Sequence, residues 1–358
     1  MHEKGKEKKN NQKKKLVLFN KPNSTRSPSI LNINLSSKEI NKNKKIDNIK
    51  SNKTTKTLNI FLIEKIPRKK VKNINNNNNN SDIQSSPRLN FIFENEQNKI
   101  SCAGEYLEEI YYNLLIEEEK SKIKPKMGYM INQIEINEQM RAILFDWIIE
   151  VHYQFNLRPE TLFMTTWIID TFLSFHSISR KDLQLLGIAC LLISCKSEEI
   201  YFPPQNKFLE VADGAYTREE MLKMENEILK KLSFNIVFPK SNNFFDIISK
   251  LFNFDTKQYY LGKYFIESSL IDYNMIKYSG SVISASCAYL VMKYFGKDGY
   301  QKLYSNFIIY ENNPENIIKD AAKEIYEFVE KISKSNLNSV KNKYALDKYE
   351  KVSEIFKV

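Results

Sequence analysis

Residues 140–152, MRAILFDWIIEVH, decide how this chain folds. Wound as an α-helix at about 100° per residue, the stretch gathers Met140, Ile143, Leu144, Trp147 and Val151 on one face and Ala142, Phe145 and Ile149 on the opposite one. The charges Arg141, Asp146 and Glu150 fall in the seams between them. A helix that is apolar on two sides is either buried on both, or packs one side into a core and offers the other as a docking surface.

The pattern continues in both directions. Pro159 suits a first helical turn, and Leu162, Ile169, Phe172 and Leu173 predict a helix ending near His176. Ser179, with Asp182 three residues on, opens the next through a weak form of the capping box. Its body, LQLLGIACLLISC at 183–195, carries no charge on any face and must be surrounded by other helices. A short helix over 206–212 and another from Thr217, capped with Glu220, to about Leu232 complete a five-helix, all-α unit. A second charge-free stretch, SVISASCAYLVM at 281–292, follows, and Cys190 and Lys196 are matched 97 residues on by Cys287 and Lys293. This predicts an internal duplication, with a second five-helix unit over about 241–332 after the break at Phe238-Pro239. Upstream, residues 105–119 read as an amphipathic helix with Tyr106, Ile110 and Leu114 on one stripe, lying on another surface and followed by the connector SKIKPK.

Charge is distributed unevenly. Residues 1–100 hold 23 Lys and Arg against 8 Asp and Glu, and residues 101–358 hold 31 against 35. The basic balance therefore belongs to an Asn/Lys/Ser-rich tail with six consecutive asparagines at 75–80, too polar to bury a core and expected to be disordered. Lys13 to Lys15 and Arg68 to Lys70 fit import signals or chance lysine clusters, and Ser27-Pro28 and Ser86-Pro87 fit proline-directed phosphorylation sites or ordinary Ser-Pro pairs. Since the part that folds is mildly acidic, nucleic acid is not an expected partner. Four cysteines (Cys102, Cys190, Cys195, Cys287) form no CxxC pair and read as free thiols of a reducing compartment. The start MHEKGKEKKN lacks a signal-peptide core, and 183–195 is too short to span a bilayer, so a soluble intracellular protein without membrane contact is expected.

With MRAILFDWIIEVH, LISCKSEEIYFPP and MLKMENEILKKLSF in order, and KPKMGYM before them, the chain resembles the cyclin family, most closely its mitotic A/B type. The resemblance covers about 105–335 and implies two tandem five-helix cyclin boxes. It divides the chain into a disordered tail (1–100), an N-terminal helix and connector (101–136), a first box (137–236), a second box (237–335) and a flexible C-terminal tail (336–358). It implies a regulatory subunit that binds and activates a cyclin-dependent protein kinase in the nucleus and cytoplasm, at G2/M or S phase. Kinase-binding positions carried over are Lys196 and Glu225, with Glu198 and Glu199 in the same SCKSEEI stretch. On spacing alone, Lys196 also fits a solvated lysine closing a buried helix, and Glu225 an exposed carboxylate. The resemblance further implies a hydrophobic groove for substrates and inhibitors carrying Arg-x-Leu motifs, built from Met140, Ile143, Leu144, Trp147, Leu183 and Gln184, with Glu150 attracting the basic end. Arg141 and Asp170 match a structural pair tying the first helix of the box to the second.

The sequence departs from that family where residues 1–100 lack Arg-x-x-Leu and Lys-Glu-Asn, the simple degradation signals, and where Ser197 replaces a bulky residue. An enzyme is not expected, nor a cofactor or metal. There is no Gly-rich phosphate loop or ligand cluster, and His2, His152 and His176 have no evident catalytic partner. The alternatives are a transcription-initiation factor of the TFIIB type, whose zinc ribbon would need cysteines that are absent before Cys102, or a non-catalytic helical adaptor.

Overall fold

A computed structural model describes residues 106–121, 123–306 and 313–356, within which every regular element is helical. The expectations for the basic tail, its Ser-Pro and lysine clusters and Cys102 lie outside these residues. A leading helix, α1 (Leu107–Lys120), and a 3-10 turn (Tyr129–Asn132) precede five helices: α2 (Glu138–Gln154), α3 (Pro159–Phe175), α4 (Leu183–Glu198), α5 (Gln205–Glu210) and α6 (Arg218–Lys231). Five more follow: α7 (Ser241–Leu251), α8 (Thr256–Ile271), α9 (Gly280–Phe295), α10 (Gln301–Asn306) and α11 (Pro314–Ile332). The charge-free stretches become the central helix of each set: α4 packs against α2, α3, α5 and α6, and α9 against α7, α8 and α11. Leu183 to Cys195 are buried without exception, as a segment lacking any polar face requires.

Caps set the helix starts. The Asn137 side chain accepts from the Met140 N–H at 2.9 Å to open α2, Pro159 occupies the first turn of α3, and Thr217 and Glu220 form a reciprocal capping box on α6. The third helix begins later than expected. Ser179 donates to Asp182 at 2.8 Å, closing a turn from which α4 starts at Leu183. Close helix approaches require two glycines: a β-carbon at Gly187 would lie 2.9 Å from Leu144 Cδ1, and one at Gly262 would enter the ring of Phe245.

Two expectations are corrected. The stripe of α1 that packs is Leu107, Tyr111 and Leu115, one position along from the expected Tyr106, Ile110 and Leu114; Tyr106 and Ile110 are exposed. Both stripes have helical spacing, and partners decide between them. Tyr111 meets Phe244 of α7 edge-on at 5.5 Å, and the Glu118 carboxylate accepts from the N–H and hydroxyl of Ser281. The second correction concerns 336–358, expected as a flexible tail. Here α12 (Ser339–Tyr344) and 3-10 turns at Asp347–Tyr349 and Val352–Phe356 pack back onto α2 and α8. Val340, Tyr344 and Val352 are buried, and Lys343 donates to both Glu267 oxygens at 2.7 Å. A lysine that would read as solvated is therefore an interior group held by a carboxylate.

Candidate functional site

α2 stands between the two helical sets. One side meets α3 and α4, and the other meets α8, the 3-10 turn Tyr273–Lys277 and α12. Both apolar faces are thus occupied, with Leu144, Phe145, Ile148 and Ile149 all buried. Of the expected groove residues, Leu144, Leu183, Gln184 and, at 6% exposure, Trp147 are buried; Met140 and Ile143 are partly exposed and Glu150 is open to solvent. Met140, Ile143 and Glu150 are therefore the side chains that reach the surface here, and the other four are covered.

Arg141 lies in the seam next to this face. Its Nε and Nη2 donate to the two oxygens of Asp170, each at 2.7 Å, and its Nη1 donates to the Ile271 carbonyl at 3.0 Å. Tyr129 donates to the same carboxylate at 2.8 Å, and the guanidinium carbon sits 4.0 Å from the Phe145 ring centroid. The pair therefore ties α2 to α3 and also to the end of α8.

At the opposite end of α4, Lys196 is the first side chain to emerge from the buried run, with 36% of its side chain exposed. Its ammonium donates to Glu225 Oε1 of α6 at 2.5 Å, so the two residues form one ion pair in which the lysine reaches the surface and the carboxylate is buried. Glu198 and Glu199 point elsewhere. Glu198 pairs with Lys240, between α6 and α7, at 3.0 Å, while Glu199 accepts from the Arg158 N–H at 2.7 Å and the Thr161 hydroxyl at 2.5 Å, capping α3. Sequence reasoning missed the exposed apolar side chains that follow the two helices bearing the ion pair. Ile200, Tyr201 and Phe202 after α4, and Phe234 and Val237 after α6, are all exposed. The run IYFPP was the available signal, since apolar residues next to a breaker are normally covered.

Among the described residues, no group of three or more His, Cys, Asp or Glu is placed to hold a metal. Cys190, Cys195 and Cys287 are buried thiols; burial pushes Cys195 up to about 12, and the other two rise as well, so thiolate character is suppressed. His152 is interior, its Nε2 donating to the Arg158 carbonyl at 2.8 Å while Nδ1 has no partner. No described helix is long and apolar enough to cross a membrane.

The family signature Cyclin, N-terminal domain, matches residues 109–237, and Cyclin, C-terminal domain, matches 239–357. The chain belongs to the cyclin family. Similar curated relatives are B-type: the G2/mitotic-specific cyclin-B2 of Homo sapiens, 36% identical over 265 residues, covering 73% of this chain and 65% of the relative; that of Oryzias latipes, 34% identical over 269 residues, covering 73% and 67%; and Cyclin-B2-1 of Arabidopsis thaliana, 35% identical over 248 residues, covering 69% and 57%. The chain thus spans about two thirds of the length of these relatives, or less. The X-ray structure of a viral cyclin from herpesvirus saimiri shares the fold, with a TM-score of 0.52 and 20% identity over 60% of this chain and 97% of that one. The two matched domains are its tandem boxes, its curated relatives are of the B type, and its family is non-catalytic and regulatory.

Proposed function

We propose that this cyclin binds a cyclin-dependent protein kinase as a heterodimer and activates it. The observation that carries this reading is the Lys196–Glu225 pair, with its lysine emerging from an otherwise buried helix, and exposed apolar residues following both helices that supply it, Ile200, Tyr201 and Phe202 after α4 and Phe234 and Val237 after α6. A kinase is active when its C-helix glutamate pairs with the strand lysine, and an external surface that seats the C-helix inward supplies that state without doing chemistry. The apolar segments supply desolvated area and the ion pair supplies register. The groove at Met140, Ile143 and Glu150 recruits substrates and inhibitors with Arg-x-Leu motifs, Glu150 receiving the arginine. The B-type relatives favour action at G2/M over S phase, in the nucleus and cytoplasm.

The test is copurification from cells of origin followed by reconstitution. A protein kinase should copurify at one-to-one stoichiometry, and its phosphotransfer should depend on this chain. Phosphotransfer by the pure chain alone, or the absence of any kinase, would refute the reading.

A further inference from the structure

A cavity of about 540 Å³ lies between the two helical sets. It is walled by the end of α1 and the connector after it, by α3, by the linker at Phe238 and Pro239, and by the end of α8 with the 3-10 turn Tyr273–Lys277 and the start of α9. Its size suits a few side chains, not a folded partner. On the apolar wall Trp167 stacks on Phe238, with centroids 4.1 Å apart and rings 9° from parallel, and both remain partly exposed, as do Ile276 and Ile283.

The polar lining is unbalanced. Arg141 is held by Asp170, and Lys277 pairs with Glu324, each at 2.7 Å. That leaves Glu118, Glu119 and Asp272, none in an ion pair among the described residues, against the exposed Lys124. Glu118 and Asp272 are half-buried, and they accept only from neutral groups, those of Ser281 and Asn274. Burial raises the pKa of both, so their charge is undercompensated where it stands. A cation brought into the cavity would relieve that penalty, and Trp167 adds a ring on which a guanidinium can stack.

The chain itself carries a complementary sequence. Residues 1–100 hold 23 Lys and Arg against 8 Asp and Glu, and within them LNIFLIEKIPRKK at 58–70 sets Leu58 and Ile60 to Ile63 ahead of Lys65, Arg68, Lys69 and Lys70. Lys70 stands 36 positions before Tyr106. From Tyr106, α1 covers about 18 Å to Glu118 by helical rise, a distance that such a length of chain spans several times over. The comparable run KKKLVLF at 13–19 would close a much longer loop at greater entropic cost.

We propose that this cavity seats the chain's own segment 58–70, with its apolar run against Trp167 and Phe238 and its basic cluster on the carboxylates of Glu118, Glu119 and Asp272. Bound there, Arg68 to Lys70 are withheld from other acidic partners, so what the tail can engage depends on whether the cavity is filled.

The experiment treats the full chain at low concentration with a carbodiimide, which joins amines to carboxylates in contact, and reads the linked peptides by mass spectrometry. Lys65, Lys69 or Lys70 should link to Glu118, Glu119 or Asp272. Charge reversal by Arg68→Glu, Lys69→Glu and Lys70→Glu touches none of the described helices, so the melting temperature should hold while the remaining Lys65 links are lost. Acrylamide quenching should rise in the same variant, because Trp147 is buried and Trp167 is the tryptophan that lines the cavity. Adding Glu119→Lys to the reversed tail makes the charges opposite again and should bring quenching back towards wild type. Absence of cavity links in the wild type, or quenching unchanged by charge reversal, overturns the proposal. Links from Lys13 to Lys15 would give the cavity to another segment, and links that grow with protein concentration would make a second copy the occupant; either overturns the assignment to 58–70 of the same chain.

Discussion

The guanidinium of Arg141 forks onto both oxygens of Asp170 while its remaining nitrogen holds the Ile271 carbonyl, so one buried cation joins three helices from both halves of the molecule. Both partners are out of solvent. Removing one leaves the other as an uncompensated buried charge. Asp170→Ala or Arg141→Ala should therefore cost about 3–5 kcal/mol in urea unfolding. Replacing both with apolar residues of similar volume should cost much less than the two singles together, because no orphan charge remains. Additive losses in the double variant would contradict this account.

The C-terminal segment gives a second prediction. Lys343 and Tyr344 both donate to Glu267, which burial alone would push towards protonation but which Lys343 holds below the ordinary carboxylate range. Ser339 fastens the segment at its start, donating from its N–H and hydroxyl to Asp146 of α2 at 2.9 and 2.8 Å. Lys343→Ala should destabilise by about 3–5 kcal/mol, and deletion of 336–358 should lower the melting temperature well beyond what loss of a frayed tail would. An unchanged melt for the deletion would restore the flexible-tail reading.

Stability should also depend on pH through His152. Burial, with the nearby Lys343 charge, lowers its pKa from 6.5 to about 4, against smaller opposing effects from the Arg158 carbonyl, Glu267 and Glu199. Between those values the unfolded chain binds a proton that the folded chain refuses, so this contribution is complete above pH 6.5 and is lost as pH falls towards 4. The span corresponds to at most about 3 kcal/mol. Glu267, with its pKa depressed, adds a further loss only below its ordinary value of 4.5. His152→Gln, which keeps a donor for Arg158, should flatten the melting-temperature slope between pH 6.5 and 4 and leave the steeper fall below it. A slope unchanged in the variant would assign the dependence to other groups.

What could be read from the sequence follows from how local each signal is. The charge-free helices α4 and α9, the caps at Thr217 and Pro159, and the duplication were legible because composition and spacing within a dozen residues determine them. The stripe of α1 was not, because two adjacent apolar stripes share one periodicity and only Phe244 and Ser281, more than a hundred residues away, choose between them. Lys343 illustrates the same limit, since its partner is 76 residues distant. Glu199 was placed in the kinase-binding set with Lys196, yet its bonds to Arg158 and Thr161 turn it inward. Trp147 was placed in the groove with its face left open as core or docking surface, and the fold leaves it almost no surface.

That last point changes how activation and docking should be separated. Trp147→Ala would remove a buried aromatic and cost about 3–5 kcal/mol, so lost docking could not be told from lost folding. Met140→Ser with Glu150→Lys instead alters a partly exposed methionine and a solvent-facing carboxylate, changes expected to stay near 0.5 kcal/mol each. Binding of an Arg-x-Leu peptide should weaken at least tenfold, about 1.4 kcal/mol, since an apolar contact is lost and attraction for the arginine becomes repulsion. Kinase activity towards a short peptide without the motif should persist. Lys196→Ala with Glu225→Ala should do the reverse: the pair joins a partly exposed lysine to a buried glutamate, and removing both together leaves no orphan charge, so the melting temperature should fall only modestly, yet kinase association and activation should collapse while Arg-x-Leu peptide binding to the free chain is retained. Melts of both double variants, peptide affinities and kinase assays with and without the docking motif provide the comparison. If both variants lose the same activities at unchanged melting temperature, the two surfaces are one, and the division of this cyclin into an activating end and a docking end fails.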